Sequence, residues 1–168
     1  SIGKVIRETD EKGRQTVYDY DNFANVKKIT YPDGTLESFT YDAEGNNLTA
    51  TDRLGRKVTM TYDKVGNLIE KKYFNGLTEN YSYDVNYNLI SKTDVNGAVT
   101  KYEYDKTGKN TAITDALGNR VSFTYDSHAQ LASMTDAKGN VIRYTYDDNG
   151  NRTGVVYQDG TSSSAAYD

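Results

Sequence analysis

Eight evenly spaced Tyr-Asp pairs punctuate the 168-residue chain: Tyr20-Asp21, Tyr41-Asp42, Tyr62-Asp63, Tyr83-Asp84, Tyr104-Asp105, Tyr125-Asp126, Tyr146-Asp147 and Tyr167-Asp168. Paired carboxylates can run general acid–base chemistry. An identical aspartate at the same place in every copy, always opening a turn, fits a different role, in which its carboxylate accepts backbone N–H groups and caps the turn. Calcium is the next chemistry to weigh. Asp84-Val-Asn86-Tyr-Asn88 and Asp147-Asp-Asn149-Gly-Asn151 alternate oxygen ligands as a calcium loop does, yet both lack the glycine at loop position six and the glutamate at twelve. His128 is the only histidine and the chain has no cysteine, so a zinc site with its three or four ligands has no starting point. No Gly-x-Ser-x-Gly elbow and no phosphate loop occurs. The expectation is a chain without catalytic residues, metal site or cofactor, in which the recurring residues are structural.

The elements that carry these residues follow from their spacing. Every Tyr-Asp interval is 21 residues, and a second mark keeps the same period: Gly13, Gly34, Gly55, Gly76, Gly97, Gly118, Gly139 and Gly160. Internal self-similarity of this kind marks a repeat architecture. Each repeat has two turn signals. One follows Tyr-Asp, as in Asp42-Ala-Glu-Gly45, Asp63-Lys-Val-Gly66 and Asp105-Lys-Thr-Gly108; the other ends on the periodic glycine, as in Asp52-Arg-Leu-Gly55 and Asp115-Ala-Leu-Gly118. Asp first and Gly fourth suit a type I turn. Three copies read differently, with Tyr31-Pro-Asp-Gly34, Tyr73-Phe-Asn-Gly76 and Tyr157-Gln-Asp-Gly160; there the Asp-Gly or Asn-Gly pair is expected to supply a two-residue hairpin turn. Ala24, Tyr87 and Ala129 stand where the first turn otherwise has glycine.

Between the turns lie segments of strand length. The one leading into Tyr-Asp alternates: Val121, Phe123 and Tyr125 against Ser122 and Thr124, then Ile142, Tyr144 and Tyr146 against Arg143 and Thr145. Such alternation is a half-buried strand. The other segment is less regular, since Leu68-Ile69 and Leu89-Ile90 are followed by Lys71 and Lys92. The fold class expected is all-β: an antiparallel meander of 21-residue repeats, two strands each. A twisted sheet of about 16 strands does not stay flat, so it should coil into a spiral, solenoid-like ribbon. Residues 1–168 read as one array, its first repeat comprising 1–19 plus Tyr20-Asp21. Its last, 146–168, is degenerate, because Ser162-Ser-Ser-Ala-Ala166 has lost the strand pattern.

Composition agrees. Ile, Leu, Val and Phe number 31, about 18% of the chain, below the level of an ordinary packed core, while a net charge of −4 is too small for a disordered chain. Sixteen tyrosines supply the missing bulk. No stretch has the length of a transmembrane helix, no signal peptide opens the sequence, and mild acidity argues against nucleic acid. A tyrosine row could stack on sugars, but tyrosine on alternate positions favours one packed face.

The pattern Gly-Asn-Leu, Thr-Asp, Gly, Tyr-x-Tyr-Asp resembles the Rhs/YD repeat. It is carried by Gly66-Asn67-Leu68, by Thr93-Asp94 with Gly97 and Tyr102-Glu-Tyr104-Asp105, and by Thr135-Asp136-Ala-Lys-Gly139-Asn140 running on to Tyr144-Thr-Tyr146-Asp147. The resemblance extends over the whole chain. It implies a non-enzymatic section of a β-sheet shell that encapsulates or displays a toxin or effector domain in a large secreted or cell-surface bacterial protein, as in Rhs and toxin-complex proteins. It likewise implies neighbouring repeats and an encapsulated toxin domain as partners. The alternative is a surface adhesion or glycan-binding segment, adhesion being the use made of these repeats in teneurins. The family's self-cleavage and toxin regions are not recognisable here. Self-association through sheet edges is a further expectation, because unpaired strand edges template pairing.

Overall fold

A computed structural model describes residues 3–167; Asp168 of the last Tyr-Asp pair and the first two residues of the first repeat lie outside the described residues. Sixteen strands form: β1 Arg7–Thr9, β2 Gln15–Tyr20, β3 Val26–Thr30, β4 Leu36–Tyr41, β5 Asn47–Thr51, β6 Lys57–Tyr62, β7 Leu68–Lys72 and β8 Thr78–Tyr83, then β9 Leu89–Thr93, β10 Val99–Tyr104, β11 Asn110–Thr114, β12 Arg120–Tyr125, β13 Leu131–Thr135, β14 Val141–Tyr146, β15 Arg152–Val156 and β16 Ser162–Ser164. Strand order in the sheet is sequence order, every pairing is antiparallel, and no helix is present among the described residues. The fold is thus an all-β antiparallel meander with two strands per repeat. It divides into two compact units at the Tyr81/Ser82 boundary.

One sequence expectation needs correction. Ser162–Ser164 shows no strand pattern in the sequence, yet it pairs with β15 through Gly154↔Ser164, Val155↔Ser163 and Val156↔Ser162. A ladder is made of backbone N–H and C=O groups, which serine supplies as well as any residue.

The register shows how an odd repeat is built from a two-residue alternation. In the first unit Val17 pairs with Thr30, and Thr30 with Leu36; the repeat equivalent of Val17 is Ser38. Each repeat is therefore displaced two residues along the strand direction, about 6.8 Å. The second unit does the same, with Lys101↔Thr114 and Thr114↔Arg120. An even displacement keeps equivalent residues on one face. It is produced by a β-bulge at the Tyr-Asp end of the hairpins β2–β3, β4–β5, β6–β7, β10–β11, β12–β13 and β14–β15, where the register shifts by one residue just before the tyrosine. Were the 21-residue repeat paired without that register shift, the displacement would be one residue, and successive Tyr-x-Tyr pairs would face opposite sides. The bulge also explains why the second segment of each repeat looks irregular: Leu68 pairs with Tyr62 and Lys71 with Met60, so two residues three apart share a face.

Each unit is one layer thick. Within each unit strands touch only their neighbours in the order, and among the described residues only Ala112 (0% exposed) and Val155 (9%) are buried. One face carries the tyrosines with Ile29, Phe39, Ala50, Val58, Ile113, Val121, Phe123, Met134 and Ile142. The other carries the polar cross-strand pairs: Asp19–Lys28 at 2.8 Å, Thr40–Thr49 at 2.7 Å and Thr124–Ser133 at 2.7 Å.

Candidate functional site

The repeated residues meet at three places: the loop edge after Tyr-Asp, the loop edge ending on the periodic glycine, and the tyrosine face. At the first edge the chain reverses through three residues, closed by two backbone bonds that share the aspartate. Asp63 N–H donates to Asn67 O at 2.9 Å and Gly66 N–H to Asp63 O at 3.2 Å. The Asp63 carboxylate holds the loop from inside: Oδ1 accepts Val65 N (3.0 Å) and Asn67 N (2.9 Å), and Oδ2 accepts Asn67 Nδ2 (2.9 Å). Asp21, Asp42, Asp84 and Asp147 repeat these three bonds with Asn25, Asn46, Asn88 and Asn151. In the loops opened by Asp105 and Asp126 the backbone bonds persist with Lys109 and Gln130 at the fifth position. The asparagine side chain four residues on holds the Asp42, Asp63, Asp84 and Asp147 carboxyls below the usual carboxylate range, aided by backbone N–H groups and opposed by desolvation. The carboxylates named above as calcium or acid–base candidates therefore accept their own loop's donors.

The second edge uses the same loop. Asp52, Asp115 and Asp136 accept from the residues two and four on, with Arg56, Asn119 and Asn140 reaching the outer oxygen at 2.7 to 2.8 Å. The three Tyr-x-Asx-Gly loops correct an expectation. They are not two-residue turns: Tyr31 N bonds Thr35 O and Gly34 N bonds Tyr31 O, as in every other copy. Only the glycine has φ > 0, whereas a type I′ turn needs it at two consecutive residues. The cap has moved two places, so that Asp33 Oδ1 accepts Thr35 N (3.0 Å) and Asp159 Oδ1 accepts Thr161 N (2.9 Å). Gly34, Gly55, Gly76, Gly97, Gly118, Gly139 and Gly160 all sit at φ between 76° and 88°. Ala24, Tyr87 and Ala129 adopt the same left-handed backbone, at φ 76°, 67° and 71°.

The tyrosines of the Tyr-Asp pairs have a second function that pattern alone did not reveal. Tyr41 Oη donates to Val26 O (2.9 Å), Tyr62 to Asn47 O (3.0 Å), Tyr104 to Leu89 O (3.0 Å), Tyr125 to Asn110 O (2.8 Å) and Tyr146 to Leu131 O (3.0 Å). Tyr20 and Tyr167 make the same reach to Val5 O and Arg152 O. The acceptor is always 15 residues back, and for Tyr41 onward it is the first residue of the preceding strand, where the bulge has ended the ladder to the strand beyond. The hydroxyl bridges that gap and ties each repeat to the one before. The 15-residue spacing was present in the sequence, but reading it required the register.

The opposite face is held by charge and hydroxyl pairs. Arg120 on β12 reaches over β11 to Glu103 on β10 (Nη2–Oε2 2.9 Å), and Ala112 lies on the strand between them, fully buried. At the glycine edge Arg53 stacks on Tyr31 (4.3 Å to the ring centroid) and bonds Thr35 Oγ1 at 2.8 Å and the Asp33 carboxylate. His128 lies in an exposed loop, its backbone N–H donating to Asp126 Oδ1. Among the described residues no three His, Cys, Asp or Glu side chains converge to hold a metal ion. Each unit has fixed loops on both edges, one aromatic face and one polar face.

The teneurin YD-shell profile matches residues 54–168, and an RHS repeat profile matches residues 1–36. The chain belongs to the teneurin YD-shell family. Solved structures similar to this YD-shell chain include the crystal structure of TcdB2-TccC3-Cdc42 (TM-score 0.73, 19% identity, covering 89% of this chain and 10% of that one). The Photorhabdus luminescens Tc holotoxin pore follows with TM-score 0.70, 20% identity and coverage of 86% and 9%. TcdB2-TccC3 without its hypervariable C-terminal region gives 0.72, 18%, 89% and 10%. At these identities the likeness is one of fold, and this YD-shell chain spans about a tenth of each structure it matches. No curated protein matches the sequence. No helix of the described residues is long and apolar enough to cross a membrane.

Proposed function

We propose that this YD-shell chain is a non-enzymatic wall segment, part of a β-sheet shell that encloses or displays a toxin or effector domain of a larger secreted or surface protein. The single-layer sheet carries this reading. A domain that works alone buries its apolar face within itself, whereas here the aromatic face lies uncovered by any second layer and each strand rests only on its neighbours. The loop edges support it too. Phe23, Val65 and Val85 project at the Tyr-Asp edge and Leu54, Phe74 and Leu117 at the glycine edge, each 60 to 91% exposed. Apolar tips in rows along both edges suit stacking against further windings of the same sheet, so neighbouring repeats of the parent protein are the first partners. The TcdB2-TccC3 assemblies share the fold.

Electron microscopy of the parent protein tests the proposal. A closed shell whose wall contains this segment, with density for a further domain inside or held on it, is the expected result. An extended rod of repeats enclosing nothing would overturn it.

A further inference from the structure

Three loops contain Asn-Gly: Asn75-Gly76, Asn96-Gly97 and Asn149-Gly150. In all three the glycine is left-handed, at φ 84°, 81° and 85°, and its N–H donates to the carbonyl of the first loop residue at 2.9 to 3.0 Å. Their caps differ. Asp94 and Asp147 cap the latter two loops, taking the backbone N–H of Asn96 (2.8 Å) and Asn149 (3.0 Å). The first loop opens with Tyr73, which has no carboxylate, and Asn75 itself is the cap: its Oδ1 accepts Leu77 N at 3.2 Å. That bond draws the carboxamide forward along the chain, toward Leu77, and polarises its C=O. A Cβ placed on Gly76 would meet nothing within 4 Å, so no side chain covers this residue and its N–H is open to water once its bond to Tyr73 O opens.

We propose that Asn75 is the chain's preferred site of spontaneous deamidation and aspartate isomerisation. A base in solvent takes the Gly76 N–H proton, and the nitrogen attacks Asn75 Cγ. The N–Cγ bond forms, the Cγ–Nδ2 bond breaks, and ammonia leaves with a proton from water. Water then opens the cyclic imide at either carbonyl, giving aspartate or isoaspartate. One water is consumed and one ammonia released, with no oxidant or cofactor. The two products differ in consequence. Aspartate is what Asp33 and Asp159 already are in the sister loops, where they cap Thr35 and Thr161, so the loop is kept. Isoaspartate inserts a backbone methylene into a three-residue loop closed by Tyr73 N–H donating to Leu77 O at 2.8 Å, and it breaks the hairpin register.

The full 168-residue protein is incubated at mildly alkaline pH and its peptides mapped by mass spectrometry, with electron-transfer fragmentation to separate the two acids. Conversion at Asn75 is expected about fivefold or more faster than at Asn96 or Asn149, a small part of the gain that holding reacting groups together can supply. Tyr73→Asp gives the loop the cap used at Asp94 and should slow Asn75 to the rate of Asn96; circular dichroism verifies that the variant is folded. Asn75→Asp should fold and melt as the parent does. Equal or slower conversion at Asn75, or a folded Tyr73→Asp variant with an unchanged rate, would overturn the proposal.

Discussion

At the scale of the residue, the telling side chains are those that stand where glycine otherwise does. Ala24, Tyr87 and Ala129 occupy the left-handed backbone at φ 67° to 76°. An L-residue there costs roughly 1–2 kcal/mol, offset in part by the roughly 0.5–1 kcal/mol of chain entropy that glycine would lose. Ala24→Gly and Ala129→Gly should therefore each stabilise the protein by about 0.5–1 kcal/mol, read as a raised thermal midpoint. The converse changes order themselves by shape. A methyl on Gly66 meets only the Asn46 side chain, at 3.8 Å, so Gly66→Ala should cost about 1 kcal/mol. A β-branched Gly97→Val should cost about 2 kcal/mol or more. Equal midpoints for the last two would show that β-branching adds no strain at the left-handed position. Much of this is readable from the sequence, since Asp and Gly at fixed places report a turn through local chemistry. The asparagine at the fifth position is visible there too, but its bond to the outer carboxylate oxygen emerges only when the loop is closed, as at Asn67 Nδ2 and Asp63 Oδ2.

At the scale of the element, the bulge decides the architecture. The strands ending in Tyr-Asp are plain in the sequence because Val121, Phe123 and Tyr125 alternate cleanly. Their partners are not, because a register shift places Leu68 and Lys71 on one face, three residues apart. Alternation is what a strand signal consists of, and the bulge erases it. Inserting one residue between Thr61 and Tyr62 gives Ile69 a partner, removes the bulge and turns Tyr62 and Met60 to opposite faces, costing about 3 kcal/mol or more. Deleting the whole block 63–83 preserves parity and should leave a cooperative β protein with the circular dichroism of the parent. If the insertion variant melts like the parent, the bulge has no such role.

At the scale of the whole molecule, stability is a sum of like terms between neighbours, and so is its response to acid. The aspartates capping both edges, among them Asp42, Asp63, Asp84, Asp115, Asp136 and Asp147, have carboxyls held below their ordinary value of 3.8, first by the asparagine side chain four residues on. A lowered folded-state value means stability is fully present above the ordinary value and is lost as pH falls through the folded one. The thermal midpoint should stay level from about pH 7 to about pH 5 and then drop steeply below about pH 4, where these carboxyls protonate. A flat profile through that lower range would show that the caps contribute nothing. The period and the places of the turns were settled by the sequence alone, because each is set by residues a few positions apart and is repeated eight times. The bulge that keeps the tyrosines on one face, the hydroxyls that reach carbonyls 15 residues back and the absence of a second layer were decided only by the tertiary structure. Each of those depends on which strand lies opposite which, and at what register, and that is a relation between segments.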